Sequence, residues 1–434
     1  MINEKQSLTM PDLDEMLQSL LLVEEGEHEF VAEGDVSELR HLFFPITRHS
    51  TYLNHAAVGP LPRPVALTMQ EHISDLSEYG AINQARWDMH EQGAYRRLAS
   101  LLNARPEQFA MTASTGDGLV HIAHGLSWHE GDEIVTAEGE FPSNVYPWLN
   151  LQEHGVRVHL VPAREQRIPT EDVLAHINER TRLVSLSLVE FSTGYRNDIA
   201  TIARYCHERG VLCGIDGMQA VGALDVDVQA LDVDFLASKG HKWLLGASTS
   251  GFLYVADSMH ELLKPRRKGW FSVAEPFDFF NYTQPLKAGA TWLEFSSPNA
   301  LSVVGLDAAL SIFESLDGGM QAVEQRILGL TGYAIKGLER LGYPVISPHG
   351  AGERSGIVCF APHPERSDLN VQQLVAQLAA RNVHLAARGS VARISPHFYN
   401  VPAEIDTLLN ALEDLSKPLT QKEVDNSVDI HIKM

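Results

Sequence analysis

The sequence predicts an α/β fold: a mostly parallel sheet flanked by helices, followed by a smaller C-terminal α/β unit. Three observations carry this. Short apolar runs alternate with helix-patterned segments between residues 109 and 254, and that alternation builds parallel strands joined by crossover helices. A second, shorter alternation begins near Gly319. The chain has 434 residues with 44% hydrophobic content, more than one compact unit usually holds. The units expected are an N-terminal extension over 1–50 that packs on the small domain, a large domain over 51–318, a small domain over 319–416 and a tail over 417–434.

The elements follow in order. Residues 1–46 are acidic, yet Leu13, Met16, Leu17 and Leu20 recur at helical spacing and predict one amphipathic helix. Residues 52–60 are mostly small, so backbone can approach a ligand there, and Pro60, Pro62 and Pro64 stiffen the exit. Residues 65–102 read as helices, with Arg86 and Trp87 available as contacts. A strand over 109–114 runs into Thr115-Gly116-Asp117-Gly118, which opens a helix through Leu126. Strand, small turn and helix N-terminus form an anion cradle, although the spacing is neither a Walker loop nor a dinucleotide fingerprint. His121 and His124 stand three apart on that helix, but no acid or third ligand completes a metal set, so no metal is expected. Strands follow at 133–138, 156–161 and 183–189, with a helix at 170–179. Residues 190–198 then lie past a strand end, where such sheets carry their chemistry. A helix is expected over 300–316. The small unit reads as helices over 320–341 and 368–381 with strands near 356–360 and 391–395.

Bulk properties exclude several classes. No run of eighteen apolar residues exists, so no membrane span is expected. The N-terminus shows no basic leader before its apolar run, and no signal peptide is expected. Cys206, Cys213 and Cys359 are too few and too scattered for a disulfide framework or a zinc knuckle, which fits a reducing, cytoplasmic setting. A net charge of -22 argues against nucleic-acid binding, so any anion site is made locally.

One stretch concentrates the chemistry. An apolar run from Val211 to Ile215 ends at an acid, Asp216, with Gln219 three residues on. A later apolar strand, Phe235-Leu236-Ala237, delivers Lys239, His241 and Lys242 beside a tryptophan. Alone, an Asp there often caps a turn, and a lysine is usually solvated surface. Together they suit a single job. The acid keeps a pyridine nitrogen protonated, and the lysine amine forms an imine with an aldehyde. That is how a protein holds pyridoxal 5'-phosphate (PLP), an electron sink for carbanions at an amino-acid α-carbon.

The runs IDGMQAVGALDVDV and ASKGHKWLLGASTSGFLYV resemble the class V aminotransferase family of fold-type I PLP enzymes. That family includes cysteine desulfurases, selenocysteine lyases, isopenicillin N epimerases and, more distantly, kynureninases. The likeness extends from about residue 52 to 415. It implies a large domain with a mostly parallel seven-stranded sheet, a smaller C-terminal α/β domain, and a homodimer with shared active sites. It makes Lys242 the Schiff-base residue and Asp216 the pyridine partner, with Gln219 and His241 in step. Thr115 and Gly116 match the turn that binds the cofactor phosphate. Phe141 matches the group stacked on the pyridine ring, in the kynureninase style rather than the histidine of desulfurases. Ser297, in the segment 289–299, matches a residue that reaches the neighbouring subunit's phosphate. Asn54, with His55 beside it, lies where relatives line the substrate pocket. Arg393 matches the arginine that clamps the substrate carboxylate, a task suited to a guanidinium fork, and Arg388 is the second candidate. Two departures stand out. Glu190 falls where relatives place an amide facing the phenolic oxygen, and a carboxylate there repels a phenolate unless protonated or turned away. Lys239 replaces a phosphate-binding serine and adds a cation beside His241.

A third departure bears on reaction type. Desulfurases carry a reactive cysteine between the two arginine positions, whereas residues 389–392 are Gly-Ser-Val-Ala. Thiolate attack on a substrate sulfur is therefore not expected. PLP and Lys242 alone can run β-elimination of the carbon–sulfur type, epimerisation or transamination, all from one carbanion. The segments EFPSNVYPW and FSTGYRND favour lyase or epimerase chemistry, with transamination as the alternative. A catalytically inactive PLP-fold binding subunit is the remaining alternative, and the full set of Asp216, Gln219, His241 and Lys242 argues against it.

Overall fold

The computed structural model describes residues 40–417. The helix expected around Leu13 to Leu20, and the tail beyond residue 417, lie outside the described residues. Twelve strands and ten α-helices are named here in chain order. They begin with β1 (Thr51–Tyr52), α1 (Arg63–Tyr79), α2 (Gln84–Leu101), β2 (Phe109–Thr112), α3 (Thr115–Gly125), β3 (Glu133–Ala137), α4 (Tyr146–Leu149) and β4 (Arg157–Val161). Next come α5 (Thr170–His176), β5 (Thr181–Ser187), α6 (Ile199–His207), β6 (Leu212–Asp216), β7 (Phe235–Lys239) and β8 (Gly251–Val255). The rest are α7 (Ala300–Glu314), α8 (Gly319–Arg340), β9 (Val358–Phe360), α9 (Val371–Ala379), β10 (Val383–His384), β11 (Ala386–Arg388), β12 (Val391–Ile394) and α10 (Pro402–Ser416).

Strands β2 to β8 form one seven-stranded sheet in the order β2-β8-β7-β6-β5-β3-β4. Every pairing from β7 through to β4 is parallel, and only β8 runs against the rest. The interior strands β3 and β8 are buried along their whole length, as expected where helices cover both faces. That burial is why these strands read as unbroken apolar runs. The seven-stranded, mostly parallel architecture expected from the sequence is therefore present.

A second, antiparallel sheet has the order β11-β12-β9. Helices α8, α9 and α10 pack on it around a core that includes Leu330, Phe360, Leu374, Ile394 and Leu408. Leu53 belongs to the same core, because β1 pairs with β10 in parallel. Residues near the start of the described chain also lie against this unit: Arg40 is ion-paired with Glu404 at 2.7 Å, and Phe44 stacks on Tyr399 at 3.6 Å between centroids. Element edges differ from the sequence reading by a few residues. At β5, for example, the strand runs over Thr181–Ser187 rather than 183–189. Among the described residues no helix is long and apolar enough to cross a membrane.

Candidate active site

The C-terminal ends of β5, β6 and β7 open into a cavity of about 330 Å³. Its walls include Ala56, Ala57, Thr115, Gly116, Phe141, Ser187, Phe191, Asp216, Met218, Gln219, Lys239, His241, Lys242, Arg388 and Arg393. Residues from seven separate segments meet there, several of them because parallel strands deliver their C-terminal ends to one edge.

Asp216 closes β6 and is only 4% exposed. Its Oδ1 accepts the Met218 N–H at 2.8 Å. Burial pushes its carboxyl up to about 6, while the facing Lys242 ammonium pulls it back. Lys242 sits three residues past β7, 5.6 Å from the centroid of the Phe141 ring. Burial pushes its amine down to about 8, with Asp216 opposing and Arg393, Arg388 and Lys239 assisting. The amine is therefore partly neutral near physiological pH, as a nucleophile for an aldehyde needs to be.

The strand, turn and helix N-terminus around Thr115 are present. Ser114 caps α3 by accepting the Asp117 N–H at 3.1 Å, and the free N–H groups of the first turn sit at the positive end of the helix dipole. The Thr115 hydroxyl rests on the Met218 sulfur at 3.4 Å. Lys239 also borders the cavity, with its amine lowered by burial. His241 lines the same cavity. Burial, then Lys239 and Lys242, push its imidazole down to about 4, so it is a neutral donor or acceptor and adds no charge. Its Nδ1 is buried without a partner.

Gln219 lines the cavity, yet both ends of its amide are committed to protein. It donates to the Ala56 carbonyl at 3.1 Å and accepts from Trp243 Nε1 at 2.9 Å. Phe141 is 44% exposed and meets Phe191 edge-on at 5.2 Å, leaving a flat face toward the cavity. Arg393 is 1% exposed. Its Nη1 donates to the Phe191 carbonyl at 2.7 Å, which fixes the fork, while Nε and Nη2 are buried without partners. That unpaired edge has the geometry to accept a carboxylate in two parallel bonds. Arg388 stands on the same face of the β11–β12 hairpin, diagonal to Arg393, and donates only to the Ala387 carbonyl at 2.8 Å.

Three candidates are not brought to the cavity. His55 is fully buried, and its two ring nitrogens meet the Ser395 carbonyl at 2.9 Å and the Tyr399 hydroxyl at 2.7 Å. No nitrogen is left for a substrate. Asn54 pairs with Ser395 through backbone, and its Oδ1 is buried without a partner but does not border the cavity. Ser297 lines two other depressions, one with Asp117 and His121 and one with Trp270 and Phe277. Trp87 is likewise elsewhere, donating to Asp75 at 2.6 Å.

Glu190 is turned away. It is 3% exposed and accepts from Asn197 Nδ2 at 2.7 Å. Burial, reinforced by Glu140, pushes its carboxyl well above the usual range, which favours the uncharged form. Glu140 itself accepts from the Ser187 hydroxyl at 2.6 Å and is pushed up to about 7 by burial. Sequence reasoning passed over Glu140, Ser187 and Met218. An acid directly before an aromatic at a strand exit was the available signal for Glu140.

No thiol reaches the site. All three cysteines are buried, and Cys359 points at the Ser192 carbonyl at 3.2 Å with its thiol pushed up to about 11 by burial. Among the described residues no group of three His, Cys, Asp or Glu side chains forms a metal site.

The donor set fits PLP. A buried lysine faces a buried carboxylate, an anion cradle with an extra cation lies at one end, and a flat aromatic covers the space between. Two orphaned guanidinium N–H groups face the other end. Fold and site together define a fold-type I PLP enzyme. The chain belongs to the class V aminotransferase family: the profile described as "Aminotransferase class-V" matches residues 51–408. A probable cysteine desulfurase from Methanothermobacter thermautotrophicus is 28% identical over 401 residues, covering 86% of this chain and 96% of the relative. The isopenicillin N epimerase of Amycolatopsis lactamdurans is 28% identical over 392 residues, covering 85% and 95%. A solved structure of a C-DES lysine variant, with glycine covalently linked to its PLP cofactor, superposes with a TM-score of 0.78 at 25% identity, covering 86% of this chain and 99% of that one. The chain is thus a PLP-dependent enzyme of this family.

Proposed function

We propose that the protein acts at the α-carbon of an amino acid as a lyase of the carbon–sulfur β-elimination type or as an epimerase, without a cysteine nucleophile. The observation that carries this is the shared cavity of Lys242 and the unpaired Arg393 edge, with every described thiol buried elsewhere. PLP, when bound, supplies the electron sink. The rest falls to the chain. Lys242 is the attachment point and, once released, a base for the α-proton. Asp216 holds a proton on the pyridine nitrogen. Thr115, Gly116, Lys239 and His241 hold the phosphate end, and Phe141 covers the ring and excludes water. Arg393 takes the substrate carboxylate on its Nε–Nη2 edge, with Arg388 as a second cation. Ser297, outside this chain's own cavity, fits a homodimer whose segment 289–299 completes the neighbouring site.

A panel of amino acids, followed by absorption and product analysis, tests the reading. Ammonia with sulfide or another β-leaving group marks a lyase, and deuterium wash-in with inversion marks an epimerase. Accumulation of pyridoxamine phosphate with an oxo acid would make transamination the activity instead. Colourless protein after PLP incubation would leave only a binding role.

A further inference from the structure

Arg393 and Lys242 belong to different sheets. Arg393 lies on β12 of the three-stranded sheet, and Lys242 follows β7 of the seven-stranded one. Their separation decides whether a clamped carboxylate presents its α-carbon to the amine, and a misplacement of about 1 Å costs about a hundredfold in rate. The segment just past β12 connects the two. Ser395, His397, Tyr399 and Asn400 are all fully buried there.

The polar atoms of this segment point in defined directions. His397 Nδ1 lies 2.8 Å from the N–H of Phe398, so it accepts. The ring proton is therefore on Nε2, which lies 2.8 Å from the Trp243 carbonyl and donates to it. Trp243, the residue after Lys242, donates its indole N–H to Gln219, and Gln219 donates to the Ala56 carbonyl. The Ala56 N–H donates to Ser395 Oγ at 2.9 Å, two residues before His397. A closed ring results: 397 to 243, 243 to 219, 219 to 56, 56 to 395. His55 braces it from outside, donating through Nδ1 to the Ser395 carbonyl and accepting the Tyr399 hydroxyl. Ala56, Gln219 and Lys242 line the cavity above it.

Stability alone is a poor account of this ring. Burying imidazoles and amides costs free energy that apolar packing would not, and the return is fixed geometry when every member is satisfied. Both histidines are held neutral, His397 at about 4 and His55 well below the usual range, chiefly by burial, so the ring keeps its direction at physiological pH.

We propose that His397 is a positioning residue: its Nε2–H grips the Trp243 carbonyl and holds the Lys242 amine in register with the free edge of Arg393, four residues upstream. This rests on the reading that Lys242 carries PLP and Arg393 takes the substrate carboxylate. The test uses the PLP-loaded protein with His397→Phe, which fills the space without a donor, and His397→Gln, which keeps an N–H. Two quantities are read: the pH midpoint of the lysine-bound cofactor's visible absorption, and kcat against KM for the best amino acid of the panel. That midpoint reports the surroundings of the Lys242 amine, namely burial, Asp216, Arg393, Arg388 and Lys239. His397→Phe is expected to shift the midpoint and lower kcat about ten- to a hundredfold at nearly constant KM, and His397→Gln to recover most of both. An unmoved midpoint with unchanged kcat overturns the proposal. So does a loss of kcat that tracks falling thermal stability equally in both variants. If His397→Phe does not fold, Ser395→Ala cuts the same ring by one oxygen, and its midpoint decides on the same terms. A wild-type chain that takes up no PLP overturns the underlying reading instead, which separates the two failures.

Discussion

The perturbed amine of Lys242 gives a prediction that needs no substrate. Burial lowers it from 10.5 to about 8. At pH 7 about one chain in ten then carries the neutral amine, against about one in three thousand for an exposed lysine, a ratio of roughly 300. Only the neutral form attacks an aldehyde. Capture of PLP by the cofactor-free chain should therefore quicken about tenfold per pH unit up to about pH 8 and level off above it. Stopped-flow absorption at fixed PLP across that range measures this. Asp216 favours the charged ammonium, so Asp216→Asn removes an opposing influence while burial remains, and the break in the profile moves to lower pH. Lys242→Ala abolishes the lysine-bound absorption altogether. A rate that climbs steadily to pH 10, or a break that moves upward in Asp216→Asn, would refute the argument.

Buried carboxyls make stability fall with rising pH. Glu140 and Glu294 are pushed up to about 7, and Asp216 to about 6, in each case first by burial. A raised folded value means the proton stabilises the native state, so this contribution is full below the unfolded values near 4 and is lost as pH rises through 6 to 7. The cofactor-free chain should melt at a higher temperature at pH 5 than at pH 7.5. Glu294→Gln should flatten that slope, because one oxygen, Oε1, accepts both the Tyr95 hydroxyl and the Met111 N–H and an amide oxygen can replace it; an unchanged slope counts against the assignment. In Gly59→Ala the new Cβ would stand 2.2 Å from the Lys242 carbonyl oxygen, so the turn must move. Calorimetry should show a loss of about 1–3 kcal/mol together with impaired PLP uptake, and wild-type behaviour in both would contradict the contact. Arg393→Lys removes the Nε–Nη2 edge and should raise KM for amino acids about tenfold or more with a smaller effect on kcat, as steady-state kinetics with the panel would show.

What the sequence reveals and what it conceals divide along chain distance. Asp216 is legible because it is the polar residue that ends an apolar strand, and parallel strands bring such ends together; Lys242 lies three residues past β7, which closes on Lys239, and the choice between the two lysines comes from the family resemblance. Thr115 and Phe141 each follow a strand by a few residues, and the resemblance supplies the roles expected of them. The N-terminal motif around Asn54 and His55 looks like a substrate loop because it is small and polar. It turns out to be an internal brace because its partner, Ser395, lies 340 residues away, and no local pattern encodes that meeting. Glu190 misleads for a related reason. Its position past β5 suggests the cofactor, but Asn197, seven residues on, folds back and draws it inward. His397 sits in a run, SPHFYN, that reads as an ordinary strand exit until β12 is placed against the lysine turn. The chemistry of this protein is thus written locally at strand ends, whereas the alignment of that chemistry with its substrate clamp depends on contacts between the two sheets. Substitutions that tune the reaction without touching the cofactor are therefore to be sought along residues 53–57 and 393–400 rather than in the motif that carries Lys242.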